Sequence, residues 1–281
     1  MRIKTISGII IALAFVVSAC SATKVVKSEA QSLQYKFPTE KNLQYRNLIT
    51  ATQTLDFNGQ IVESVASEVT AYTMKLLSSE AGINKIEVTL DTLKRSQTGM
   101  MGSVNPDLSS LFGKSFKMTF SSMGEESDFE GTSAISYKVE GNETINLEST
   151  FTLLFPDVDG KPVKVGYTWT ENDTANIVSA TEKTTMVSTT INTVKETRVV
   201  NGRDCLVISY TQKGYRKSTM SSPQGEVYVI GDITGTGEFC FSPSEGILVD
   251  DVVNATFKGQ VEVMGGVFPI SMAMKIENRL K

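Results

Sequence analysis

From Leu43 to its C-terminus the chain consists almost entirely of long segments rich in Thr, Val, Ile, Tyr and Phe, separated by short Gly, Asn and Ser turns. Such residues fit a pleated, half-buried surface, and segments joined by tight turns pair antiparallel. Near the end, Ile270, Met272, Met274 and Ile276 alternate with Ser271, Ala273, Lys275 and Glu277. A period of two places the four apolar side chains on one face. Asn58-Gly59 is the sharpest turn signal, because a two-residue type I′ hairpin needs positive φ at both central positions; it predicts strands near 43–57 and 60–77. Ala81-Gly82 turns the chain into the alternating segment 86–91. Phe116, Met118 and Phe120 then alternate with Lys117 and Thr119 before a turn at 121–124. The expectation is an all-β, mainly antiparallel fold of about eleven long strands with one or two short helices.

The irregular stretches are fewer. Residues 97–103 read as a loop. Asn105-Pro106-Asp107 has the order of a helix start, with Gly113 to stop it. Residues 144–155 have helical apolar spacing, although their threonines and isoleucine favour a strand. The part from Val163 onward echoes the first half: 82–88 aligns with 202–208 at an offset of 120 residues, and Phe120-Ser121-Ser122 aligns with Phe241-Ser242-Pro243 at 121. This suggests two similar halves, 33–131 and 163–281, joined by a connector, 132–162, and forming curved sheets or an open half-barrel.

The N-terminus reads as a targeting segment. Arg2 and Lys4 precede an uncharged run from Thr5 to Ala19, fifteen residues long, that ends in Val17-Ser18-Ala19-Cys20. A membrane-spanning helix needs about 20 apolar residues, whereas a signal peptide has a basic start, a core of about 7–15 and small residues at the cut. The pattern resembles the lipobox of bacterial lipoproteins, which implies removal of residues 1–19 and lipidation of Cys20. Residues 20–32 are small and polar and read as a tether. Ser21 after the cysteine implies, by the same resemblance, an outer-membrane destination within the bacterial cell envelope.

The whole chain carries a formal charge of −4, and losing Arg2 and Lys4 makes the remainder two units more negative. That argues against nucleic acid as a partner. There is no histidine, so the usual general base of serine and cysteine hydrolases and the commonest zinc ligand are missing. Carboxylate pairs, sufficient for glycoside hydrolysis, are untouched by this argument.

Asn58-Gly59-Gln60, Leu111-Phe112-Gly113-Lys114, the run from Pro162 to Trp169, Gly235-Thr236-Gly237 and Phe241-Ser242-Pro243 resemble landmarks of an uncharacterised lipoprotein family of Bacteroidota. The resemblance implies an envelope lipoprotein and transfers no activity, cofactor or site residue. The connector before Phe155 departs from it in being more β-branched.

Several motifs could carry chemistry. Asp157-Val158-Asp159-Gly160 opens like a calcium loop, but Thr168 stands where the twelfth-position glutamate is needed, so it reads as a solvated turn. Glu125, Glu126, Asp128 and Glu130 read as a solvated hairpin edge, and Asp250-Asp251 likewise. No residue is assigned to catalysis, a metal or a cofactor. Met264, Met272 and Met274, with Phe257 and Phe268, give the last strands a soft apolar surface of the kind that lines ligands. The midpoint of Cys205 and Cys240 falls between Ser222 and Pro223, inside the turn signal at 221–225, and a hairpin folded there would place them opposite each other in a disulfide.

Together these readings point to a non-enzymatic, lipid-anchored β scaffold of the envelope, held to the membrane by its N-terminal lipid and binding an apolar ligand or an envelope protein. The alternatives are a carboxylate-dependent glycan hydrolase, which needs two acids about 5–10 Å apart in a cleft, and a purely structural subunit of a surface complex.

Overall fold

The structure, a computed structural model, describes residues 29–99, 102–138, 144–152, 154–178, 182–222 and 225–281. The lipobox, including Cys20, lies outside them.

Eleven strands run in one antiparallel path: β1 (Leu43–Phe57), β2 (Gln60–Glu80), β3 (Ile83–Gly99), β4 (Ser115–Ser121), β5 (Glu126–Glu130), β6 (Thr168–Val178), β7 (Glu182–Val200), β8 (Arg203–Ser222), β9 (Gly225–Ser242), β10 (Ile247–Val263) and β11 (Gly266–Leu280). The short strand Gly102–Val104 pairs with β3 off this path and makes the sheet twelve-stranded. The sheet is curved and not closed, and the chain is all-β. The spatial order is β6-β7-β8-β9-β10-β11-β1-β2-β3-β4-β5. Every neighbour in the path is a sequence neighbour except at the centre, where β11 pairs with β1, from Ile270↔Leu55 to Leu280↔Tyr45. Strands of both sequence halves therefore share one sheet. The two open edges, β5 and β6, are joined by the connector, part of which packs against the sheet.

The local signals fold as their chemistry demands. Asn58 and Gly59 have φ of 56° and 89°, and Ala81 and Gly82 have 49° and 81°. Asn201 and Gly202, 120 residues after the second pair, repeat it with 51° and 77°. Elsewhere the irregular stretches differ from expectation. Gln97, Thr98 and Gly99 pair with Val104, Ser103 and Gly102, so the described residues of the expected loop at 97–103 are strand. The helix expected after Pro106 is only the 3₁₀ turn Ser109–Leu111, anchored by buried Leu111. The expected helix at 144–155 is the short strand Thr144–Asn146 and one helical turn, Glu148–Phe151; its β-branched residues take the strand and Glu148 opens the turn.

One end of the curved sheet holds an aromatic core, where two irregular segments lie against it. Residues 33–37 bring Tyr35 and Phe37, and the connector brings Phe151 and Phe155. Tyr35 sits edge-on to Phe120, Phe155 and Phe241 at 5.1, 6.0 and 5.1 Å. Tyr45 and Tyr72 stack between them at 5.7 Å. Each such side chain contributes about 1.5–3 kcal/mol by leaving water. Backbone bonds from Tyr35 N to Ser122 O and Lys36 N to Gly246 O tie the N-terminal segment across the sheet's end.

Glu126 is not the solvated edge residue that its run suggests. Its Oε1 accepts the backbone N–H groups of Leu154 and Phe155 at 3.1 and 3.0 Å, clamping the connector to β5. Glu126→Ala leaves both donors unpaired and should cost roughly 2 kcal/mol, read as a lower urea midpoint. Glu126→Gln, which keeps an acceptor, should recover most of it. Equal losses in both variants would contradict the clamp.

Candidate functional site

Beyond the aromatic plug, the inner face of β6–β11 is left as a cavity of about 490 Å³, within the range of small-molecule sites. Its floor is the connector at Leu154, Phe155, Pro156 and Asp157. Strand alternation builds the walls, since every second residue of each strand points inward. Ile233, Val253, Phe257, Met272, Met274 and Ile276 form an apolar wall on β9–β11. Thr184, Ser188, Thr190 and Asn192 on β7, with Gln212 and Arg216 on β8, form a polar one. Phe257 lies flat because Gly231 and Gly259 pair beneath it; a Cβ on either would come within 2.8 Å of the ring.

Acids complete the site. Glu171 and Asp173 are two apart on β6 and so share the inward face, and the connector brings Asp157 to meet them. Carboxylate oxygens of the three lie within 4.8 Å of one another. Gly124 permits this approach, because a Cβ there would stand 2.8 Å from Asp157 Oδ1. Burial, then repulsion from Glu171, Asp173 and Glu125, pushes the Asp157 carboxyl up to about 7. Glu171 is also pushed up to about 7, by burial, against the opposing effects of Trp169 Nε1, which donates to it, and the neighbouring Asn192 amide. Asp173 is raised by burial and by Glu125. Among the described residues no Lys or Arg pairs with any of the three. The Asn192 amide lies beside Glu171 but is 1% exposed, and its Nδ2 makes no hydrogen bond of normal geometry. Across the cavity, Asp251 is 6% exposed and accepts the Tyr210 hydroxyl at 3.3 Å.

Of the residues read as ligand-lining, the structure brings Phe257, Met272 and Met274 into one wall. Met264 is excluded: it occupies the β10–β11 turn with φ of 51° and is 76% exposed. Phe268 shares the inward face but stacks on Phe57 at 4.4 Å, outside the lining. Asp157 is a correction, since the solvated turn is a partly buried member of the acid cluster. Neither Glu171 nor Asp173 is singled out by the sequence analysis. The available signal was two acids on the same parity as Trp169 and Ala175, alternating with Thr170, Asn172 and Thr174.

Cys205 and Cys240 are free and buried, a correction to the expected disulfide. β8 and β9 pair without a bulge from Leu206↔Phe241 to Ser222↔Gly225. The hairpin is centred one residue later than the turn signal suggested, which slides the register by two and sets Cys240 opposite Val207. Burial raises both thiols, Cys240 to about 11.

No known family matches the chain, and no curated protein does. Among solved structures, an outer-membrane channel from Pseudomonas putida F1 is similar at 8% identity, with 88% of this chain and 97% of that chain covered and a TM-score of 0.28. A Rh. blastica porin mutant is similar at 5% identity, covering 85% and 100%, with a TM-score of 0.23. A DUF1329 family protein from Desulfovibrio piger is similar at 9% identity, covering 84% and 85%, with a TM-score of 0.16. Likenesses at these scores assign neither a family nor an activity.

Proposed function

We propose that the protein is a non-enzymatic envelope lipoprotein, anchored through Cys20, that holds an amphiphilic ligand on the inner face of its curved sheet. The observation that carries this reading is the two-sided cavity: an apolar wall of Phe257, Met272, Met274 and Ile276 facing a polar wall of threonines, Asn192, Gln212 and the acids. A hydrocarbon segment against the first gains about 0.8 kcal/mol per methylene buried. A polar head finds hydrogen-bond partners on the second. The lipobox supplies the membrane beside which such ligands are found.

The test uses protein purified from native membranes, with bound lipids extracted and weighed by mass spectrometry. A co-purifying amphiphile is expected. N-phenyl-1-naphthylamine fluorescence should rise on mixing with delipidated protein, and Met274→Asp should weaken that binding at least tenfold. Empty protein that also fails to bind the dye would remove the carrier reading.

The acid cluster favours a second reading, hydrolysis of envelope glycans. Oxygens within 4.8 Å approach the spacing of about 5–5.5 Å between carboxyl groups in retaining glycosidases, and carboxyls at about 7 suit proton transfer near neutrality. Release of reducing ends from envelope glycans, abolished by Glu171→Gln, would establish it; no release by the parent protein would end it.

A further inference from the structure

We propose that Asp157, Glu171 and Asp173 bind one hard divalent cation, calcium in preference to magnesium, at the acidic end of the cavity, with the Asn192 amide donating to a cation-bound water. Three observations meet there. The donor set is all oxygen, which selects calcium, magnesium or manganese over zinc and copper. The spacing fits without rearrangement: calcium–oxygen bonds of about 2.3–2.6 Å put opposite ligands about 4.6–5.2 Å apart, and these oxygens already lie within 4.8 Å of one another. Magnesium at about 2.0–2.1 Å demands a near-ideal octahedron and keeps several of its waters, a stricter requirement than calcium makes of three carboxylates drawn from two segments. Finally, a buried donor without an acceptor is uncommon in a folded protein. Asn192 lines the cavity, and its buried Nδ2 lies against Glu171 without a hydrogen bond of normal geometry; turning the amide to a water on the ion supplies a well-aligned acceptor.

A cation also resolves what the cluster lacks. Three carboxylates converge, with Glu125 adding to the negative field at two of them, and among the described residues no basic side chain answers them. The calcium-like opening Asp157-Val158-Asp159-Gly160 supplies a ligand after all, but its partners come from a neighbouring strand rather than from later positions of a loop. Asp159 is engaged elsewhere, accepting Tyr167 Oη at 2.5 Å and pairing with Lys161 at 3.3 Å.

The chain's single tryptophan makes the test direct, because Trp169 Nε1 donates to Glu171 Oε1. Terbium added to chelator-treated full-length protein should luminesce on excitation of Trp169, and calcium should quench that emission by displacement. Calorimetry should give one calcium per chain, with a dissociation constant on the order of 10⁻⁴ M or tighter and weaker binding of magnesium. Glu171→Gln and Asp173→Asn should each weaken calcium at least tenfold while retaining the parental circular dichroism spectrum, since either change relieves repulsion in the metal-free protein. Trp169→Phe should lose the sensitised emission but keep the calorimetric binding. No calcium heat and no sensitised terbium emission from the parent protein would overturn the site, as would undiminished binding in Glu171→Gln.

Discussion

Phe155→Ala should lower the free energy of unfolding by about 3–5 kcal/mol, the range for emptying a buried aromatic position. Phe155 is 5% exposed and meets Tyr35, Tyr45 and Phe120 edge-on at 6.0, 5.2 and 5.1 Å. Those three rings come from the N-terminal segment, β1 and β4, so one side chain joins the connector to three parts of the chain. The same residue forms part of the cavity floor, and its loss should also change dye affinity. The measurement is urea unfolding, with Ile61→Ala at a 61% exposed position as a reference expected to change by less than about 0.5 kcal/mol. A loss below about 1 kcal/mol for Phe155→Ala would mean that the connector rests on the sheet without stabilising it.

The large effect follows from topology. The open edge strands β5 and β6 are joined by the connector, and a link lying against an apolar sheet face stabilises the fold by burying its own apolar residues. Phe151, Leu154, Phe155 and Val158 do so. The backbone groups of such a link cannot all reach the sheet's ladder, so Glu126 and the Tyr35 hydroxyl, which donates to Pro156 O at 2.8 Å, satisfy part of it. The link covers one end of the inner face only. The uncovered remainder is the cavity.

What could be read in the chain and what could not divide along one line, the distance over which the information acts. Asn58-Gly59 and Ala81-Gly82 specify their turns by backbone sterics at two residues, and the period-two segments specify their own faces. The pairing of β11 with β1 joins residues more than 200 apart, and no local pattern encodes it. The cysteines lie between these cases: the hairpin was legible, but a turn centre misplaced by one residue shifts the register by two. The site failed for the same reason. Asp157 was weighed against a ligand eleven residues on, at Thr168, because a calcium loop is local. Its partners are Glu171 and Asp173, whose shared face was written in the alternation around them, but whose meeting with Asp157 depends on where the connector lies. Asp251 looked like half of a surface pair because Asp250 beside it does face outward, with Arg279 at 3.1 Å.

That difference between adjacent aspartates leads to an effect of similar size to the Phe155 truncation. Asp251→Asn should make the protein more stable than the parent by roughly 2–4 kcal/mol at pH 8 and leave it nearly unchanged at pH 3.5. Burial, with a smaller contribution from Asp250, raises the Asp251 carboxyl from 3.8 to about 7, against the opposing hydrogen bonds from Tyr210 and the Val252 backbone. A raised carboxyl means that the folded state holds its proton while the unfolded state has released it. Stability is therefore fully present below the unfolded value near 3.8 and is lost as pH rises through about 7. Three pH units at about 1.36 kcal/mol each set the upper bound. Asparagine cannot ionise, and its amide oxygen still accepts the Tyr210 hydroxyl, so the variant avoids the loss and keeps the bond. Other raised carboxyls, Asp157, Glu171 and Glu68 among them, tilt the parent and the variant alike. The informative quantity is accordingly the difference between the two curves, measured by urea unfolding at half-unit steps from pH 3.5 to 8.5. That difference should open between pH 4 and 7 and then stay constant. Parallel curves across the window would show that Asp251 is ionised in the fold at no cost, and a variant less stable at pH 8 would show that its charge stabilises the protein.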